Sequence, residues 1–227
     1  MATVLITGAN GGLGSFLARK LCERGNTVIL GYNKSNNNLL NLKKEYASHV
    51  IILNIDVTSE VSIKNAHFYL KNMGIKIDTL INNAGIDITS DLEAKSIESF
   101  LKIYKVNTIG VFLMLREFLP ELQEVHGHIV NISSDNTIDA YDMVSLEYDI
   151  SKCGVNQITK TFARSYQDIY INALLFGWLD TTMNDFPSDI KKQLNFISLN
   201  KATDKIIEYM HTKKSGELEL VRKWKNF

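Results

Sequence analysis

The chain has 227 residues, 45% hydrophobic and 22% charged, enough to bury a core without disulfide or metal staples. Twenty-five Lys and Arg balance 25 Asp and Glu, which argues against a general nucleic-acid or acidic-membrane binder. The two cysteines, Cys22 and Cys153, lie outside any CxxC or Cys/His cluster, so no metal site is expected and a reducing cytoplasm fits.

Met1-Ala2-Thr3 leads straight into an apolar strand, so no secretory signal is read here. The longest mostly apolar stretch, Ile169–Leu179, is too short to span a bilayer. With no Pro-rich or Gly/Ser linker, residues 1–227 read as a single domain. Apolar, β-rich runs fall at Thr3–Thr7, Thr27–Tyr32, His49–Ile55, Asp78–Ile81, His128–Ile132 and Tyr170–Leu175. Segments of helical spacing separate them: Leu13, Phe16, Leu17 and Leu21, then Leu39–Ala47, Val61–Asn72, one long helix over Ser96–Leu122, and Glu147–Tyr166. One or two helices are expected within Asp189–Met210, and a last strand near Leu218–Val221. Doubly apolar strands alternating with helices predict an α/β fold: a Rossmann-like, doubly wound parallel sheet with helices on both faces.

The first strand ends in Thr7-Gly8-Ala9-Asn10-Gly11-Gly12-Leu13-Gly14, and a helix follows. Glycines let a backbone approach a pyrophosphate, and the free N–H groups of a helix start favour anions. The spacing is G-x3-G-x-G, where the commoner dinucleotide turn is G-x-G-x-x-G. A merely tight turn is the alternative, but three glycines at a helix start lower its stability by roughly 1 kcal/mol each and call for a reason. At the end of the second strand an acid would mark NAD by binding the ribose 2′-hydroxyl. Here Asn33-Lys34-Ser35 stands instead and could meet a 2′-phosphate, which favours NADP over NAD. Lys34 also reads as a solvated loop residue.

Further along, Asn82-Asn83-Ala84-Gly85 follows the fourth strand, Ser133-Ser134 ends the fifth, and Tyr148-Asp149-Ile150-Ser151-Lys152 opens a helix. In this order, with the glycine turn, these motifs closely resemble the short-chain dehydrogenase/reductase family in its single-domain branch, similar to 3-oxoacyl carrier-protein reductases. The resemblance covers about residues 2–183. It implies catalytic roles for Ser134, Tyr148, Lys152 and Asn107, with Asn107 holding a water that links Lys152 to solvent. It also implies that Asn83, Ala84 and Gly85 shape the adenosine side, that Asp56 and Val57 contact adenine, and that Gly177 and Thr181 lie by the nicotinamide carboxamide. Gly8, Asn10, Gly11, Gly12, Leu13 and Gly14 would line the pyrophosphate, and Tyr148 and Lys152 would touch the cofactor as well. Phe176 replaces the proline usual before Gly177.

The chemistry has its own basis. Tyr148 and Lys152 are i and i+4, on one helix face. An adjacent ammonium is expected to lower the tyrosine pKa from about 10. Tyr148 then serves as acid in ketone reduction or base in alcohol oxidation. Ser134 would hydrogen-bond the substrate oxygen, while Ser133 is expected to point inward. A second Tyr-x-x-x-Lys, Tyr209/Lys213, lacks an upstream serine strand end and reads as ordinary helix surface. Acids crowd the sequence around the tyrosine (Asp135, Asp139, Asp142, Glu147, Asp149), weakening the case for a strongly anionic substrate. The substrate segment, about 184–200, is short.

The leading expectation is an NADP-dependent oxidoreductase acting on a small-molecule ketone or 3-oxoacyl group, assembled as a homodimer or homotetramer. A cofactor-binding relative with little catalysis is the rival, and a pterin-like substrate is a third reading.

Overall fold

The structure is a computed structural model that describes residues 1–139, 143–181 and 186–222. Its strands are β1 (Thr3–Ile6), β2 (Thr27–Tyr32), β3 (Val50–Asn54), β4 (Thr79–Asn82), β5 (His128–Ser134), β6 (Tyr170–Phe176) and β7 (Leu218–Val221). They form one parallel sheet of seven strands in the order β3-β2-β1-β4-β5-β6-β7. The order reverses between β1 and β4, the crevice where such sheets bind ligands.

The helices are α1 (Gly12–Glu23), α2 (Asn37–Glu45), α3 (Glu60–Asn72), α4 (Ile97–Tyr104), α5 (Gly110–Glu124), α6 (Leu146–Ser165), α7 (Ser188–Gln193) and α8 (Leu199–Tyr209). Period-2 alternation sends Val4, Ile6, Val28, Leu30, Val130 and Leu174 to one core, closed by α1, α2 and α8. Leu5, Ile29, Leu80, Ile129 and Ile171 face the other, closed by α3, α5 and α6. Both faces are covered, hence the near-continuous apolar strands. Among the described residues no helix is long and apolar enough to cross a membrane.

Two differences from expectation matter for function. The run Ser96–Leu122 is not one regular helix: α4 and α5 are joined by a π-helical turn, Lys105–Ile109, centred on Asn107. Its apolar period hides the extra residue. Phe176 is buried and extends β6 to pair with β7, its neighbour Gly177 donating to the Val221 carbonyl at 3.1 Å. Proline could not extend a ladder in this way. Within the expected substrate segment, α7 is followed by a parallel bridge between Leu179 and Ile197. Asp142, Met183, Asn184, Asp185 and the tail 223–227 lie outside the described residues.

Candidate active site

At the C-terminal edge of β1, Gly8 has φ +62°, and a Cβ there would lie 2.8 Å from the Ala84 Cα. A Cβ on Gly14 would lie 2.8 Å from the Gly8 carbonyl oxygen, and one on Gly12 3.0 Å from the Thr181 Cβ. Larger residues would therefore push β1, the β4 turn and the Thr181 segment apart. Asn83 locks the same junction, its side-chain amide donating to the carbonyls of Thr7 and Gly8 at 2.9 and 3.1 Å. Thr7 Oγ1 accepts the N–H groups of Asn83 and Ala84, both at 3.0 Å. The start of α1 has no side-chain cap and no acid in its first turn, and Asn10 Oδ1 is buried without a partner. An open helix N-terminus beside an unsatisfied polar atom fits the pyrophosphate of a dinucleotide.

The rest of the expected cofactor side is spread along the same edge. Ala9 N–H bonds the Gly31 carbonyl at 2.9 Å, which ties the glycine turn to the end of β2. Asn33, Lys34 and Ser35 are exposed just beyond it. Asp56 spends one oxygen on the Thr58 backbone and hydroxyl, and Val57 is buried against Gly110.

At the end of β5 the two serines diverge as expected. Ser133 turns inward and donates to Asn156 Oδ1 at 2.7 Å. Ser134 accepts the Asn136 N–H at 3.3 Å and hydrogen-bonds the Tyr148 phenol, a contact that favours the phenolate. Lys152, 4% exposed, donates to the Ile132 carbonyl at 2.8 Å, its Nζ 5.5 Å from the centroid of the Tyr148 ring. Ser134, Tyr148 and Lys152 thus come together. Tyr209 and Lys213 do not: Tyr209 donates to Glu217 at 2.8 Å, and Lys213 lies over the Tyr170 ring.

The electrostatics correct one expectation. The Tyr148 pKa is pushed above its usual value, first by burial and then by the charge of Asp87, with Asp149 and Asp135 adding to it. Ser134 pulls the other way without prevailing. The Lys152 ammonium faces the ring and spends a hydrogen on a carbonyl, so it does not overcome desolvation of the phenolate. Burial pushes Lys152 itself down to about 8, with Asp87 opposing.

Asn107, fully buried in the π turn, has its amide committed. Nδ2 donates to the Ile86 carbonyl and to Ser151 Oγ, both at 2.9 Å, and Oδ1 accepts the Ile86 N–H at 2.8 Å. Its side chain pins the β4 turn to α6. A Cβ on Gly85 would sit 3.4 Å from both Asn107 Oδ1 and Lys152 Nζ, so the turn lies directly against the lysine. Sequence reasoning missed Asp87, which follows this turn and acts on both Tyr148 and Lys152. A carboxylate just past a strand end at the switch point was the available signal.

A family model described as short chain dehydrogenase matches residues 2–192. The chain belongs to the short-chain dehydrogenase family. It is thus an NAD(P)-dependent oxidoreductase that moves hydride between nicotinamide and a carbonyl or alcohol. This dehydrogenase is 36% identical over 187 residues to an NADPH-dependent pterin aldehyde reductase of Arabidopsis thaliana, covering 80% of this chain and 76% of that protein. It is 30% identical over 196 residues to the 3-oxoacyl-[acyl-carrier-protein] reductase FabG of Aquifex aeolicus, covering 83% and 78%. Its fold superposes with a TM-score of 0.87 on a 3-ketoacyl-(acyl-carrier-protein) reductase of Brucella melitensis complexed with NADH, at 22% identity over 97% of this chain and 96% of that one.

Proposed function

We propose that this dehydrogenase is an NADPH-dependent carbonyl reductase with Tyr148 as proton donor. The observation that carries the reading is the convergence of Tyr148, Lys152 and Ser134 at the end of β5, inside a largely water-excluded site. When bound, the nicotinamide supplies the hydride. Ser134 hydrogen-bonds the substrate oxygen and holds it toward the phenol, stabilising the charge that develops there. Tyr148, raised in pKa and protonated near neutrality, gives its Oη proton to that oxygen. Lys152 uses one donor on Ile132, which leaves two for the cofactor ribose and for the phenolate formed in the step. The π turn leaves carbonyls outside the regular helical ladder near Asn107, where a water can return a proton to Lys152.

Gly8, Asn10, Gly11, Gly12, Leu13 and Gly14 hold the pyrophosphate, Asn83, Ala84 and Gly85 border the adenosine, Asp56 and Val57 meet the adenine, and Gly177 and Thr181 face the nicotinamide. Exposed Lys34, with Asn33 and Ser35 and without an acid, supports NADP. The acids near Tyr148 favour a neutral ketone over an anionic substrate. Segment 184–200 is read as a short substrate wall on a single-domain chain, where Trp178 stacks on Phe196 with centroids 5.9 Å apart. Exposed Ile97, Leu101, Phe112 and Ile150 on α4, α5 and α6 fit a homodimer or homotetramer contact. Free thiols at Cys22 and Cys153 fit the cytoplasm.

Tyr148→Phe tests the reading. Reduction of a ketone panel with NADPH should fall about 10²–10⁴-fold with nucleotide affinity kept. Undiminished turnover would remove Tyr148 as the proton donor. In the same assay KM should be lower for NADPH than for NADH, and the reverse order would overturn the NADP reading.

A further inference from the structure

Asp87 belongs to none of the motifs above, yet it is wired into both sides of the centre. Its neighbour Ile86 is clamped at N–H and carbonyl by Asn107, at 2.8 and 2.9 Å. Asn107 in turn bonds Ser151, the residue before Lys152. From the other side, Ser145 Oγ at the start of α6 reaches Asp87 Oδ2 at 3.5 Å, the outer limit of a hydrogen bond. Asp87 Oδ1 is buried without any partner.

A partly buried carboxylate whose bonds come from Ser145 and the Ile88 N–H, with Oδ1 left over, is costly unless a charge compensates it. Among the described residues, the cations that act on it or that it acts on are Lys95 and Lys152. Lys95, ahead of α4, is bound to Glu147 and to the Val144 carbonyl. Lys152 makes its hydrogen bond to a neutral carbonyl, Ile132 O, and therefore keeps its full charge uncompensated by direct pairing.

We propose that Asp87 is a positioning residue of the catalytic centre: its carboxylate, fixed between the Asn107-clamped turn and the first turn of α6, is the through-space counter-charge that keeps the Lys152 ammonium protonated at working pH. The proposal rests on the reading of Tyr148 and Lys152 as catalytic, and the charged surroundings agree with it. Asp87 raises the Lys152 pKa against the effect of burial, and it is the first charge acting on Tyr148. Glu147 and Lys95 act on Asp87 with opposite signs, and Asp149 on α6 and Asp135 after β5 act on Tyr148. The Asp87 pKa is raised, first by burial.

Removing this charge lowers the proton affinity of both Lys152 and Tyr148, so the two effects add in a pH profile. The test follows the Lys152 side chain by NMR in the cofactor-free protein, beside pH–rate profiles, for the wild type, Asp87→Asn, Asp87→Ser and Asp87→Glu. Asp87→Asn and Asp87→Ser should each move the Lys152 titration from about 8 to lower pH by about one unit. The alkaline fall of reduction should move the same way, giving about fivefold less reduction at pH 8. Asp87→Glu should restore both, and the profiles should merge at the acid end, where Asp87 takes up its own proton. A Lys152 titration unmoved in whichever neutral variant folds would overturn the proposal. A shifted titration combined with an active Tyr148→Phe enzyme would instead uphold the counter-charge and reject the catalytic reading.

Discussion

The two ends of the cofactor crevice are built by opposite means. At the glycine turn, backbone approaches backbone where Gly8 lies against Ala84 and Gly14 against Gly8, Gly12 lies against the Thr181 side chain, and little charge is involved. At the end of β5, side chains do the work. A lysine and several acids are buried beside a half-buried tyrosine, and the ionisation of Lys152 and Tyr148 departs from that of free residues. A steric site of the first kind fails by displacement. An electrostatic site of the second kind works at a cost in stability, because a dry ammonium is worse off than a wet one.

The contrast breaks most visibly at Gly14. Gly14→Ala places a Cβ within 2.9 Å of the Ala9 Cα and 2.8 Å of the Gly8 oxygen, backbone atoms that cannot swing away. We expect about 1–3 kcal/mol lost in urea unfolding, and NADPH binding weakened at least tenfold by calorimetry. Wild-type affinity would show that the turn is not a close-packed phosphate cradle.

Lys152→Met sharpens the comparison from the other end: activity should vanish while the cofactor-free protein gains stability. The native Lys152 pKa of about 8 lies below its ordinary 10.5, so between those values the unfolded chain binds more protons than the native one. Wild-type stability therefore rises with pH across that window. The gain from Lys152→Met, roughly 1–2 kcal/mol after losing the bond to Ile132, should be full below pH 8 and shrink toward pH 10.5. Urea midpoints at pH 7 and pH 10 check it, and a destabilised variant at pH 7 would show that the buried charge is well compensated.

The smallest effect is expected far from either end. His67 bridges Glu117 and Glu121 of α5 at 2.9 and 3.1 Å, and its pKa is raised, first by the hydrogen bond to Glu121. A raised histidine contributes stability that is complete below its unfolded pKa of about 6.5 and is lost as pH climbs through the native value. His67→Ala should cost about 1 kcal/mol at pH 5.5, less at pH 9, and leave KM for NADPH unchanged. A pH-independent loss would mean that the ring acts through packing on Phe118 alone.

Most of the fold was legible because hydrophobic period and turn chemistry act locally. Thr27–Tyr32 and Leu218–Val221 match their expected bounds, and the other strands shift by one or two residues at an end. The proposed catalytic pair, Tyr148 and Lys152, was legible because its spacing along one helix face is itself geometry. What could not be read depended on distant chain. The sequence places Lys152 a turn from Tyr148, but it does not reveal that Asp87 arrives from β4 or that the ammonium turns toward Ile132. Burial first, and then the Asp87 charge, reverse the expected direction of the tyrosine shift. The π turn escaped because an extra residue in a helix leaves the apolar pattern nearly intact. Phe176, which stands where the usual pattern has proline, lengthens a strand.

The π turn has a mechanical consequence. Each residue in a helix advances the azimuth by about 100°, so deleting a single one between Lys105 and Ile109 would swivel α5 like a mis-set key. Gly110 would leave Val57, Glu117 would swing off His67, and Asn107 would release Ile86. The crevice and the α3–α5 clamp on the same face of the sheet thus share one rigid shaft, and indels there should be far less tolerated than substitutions.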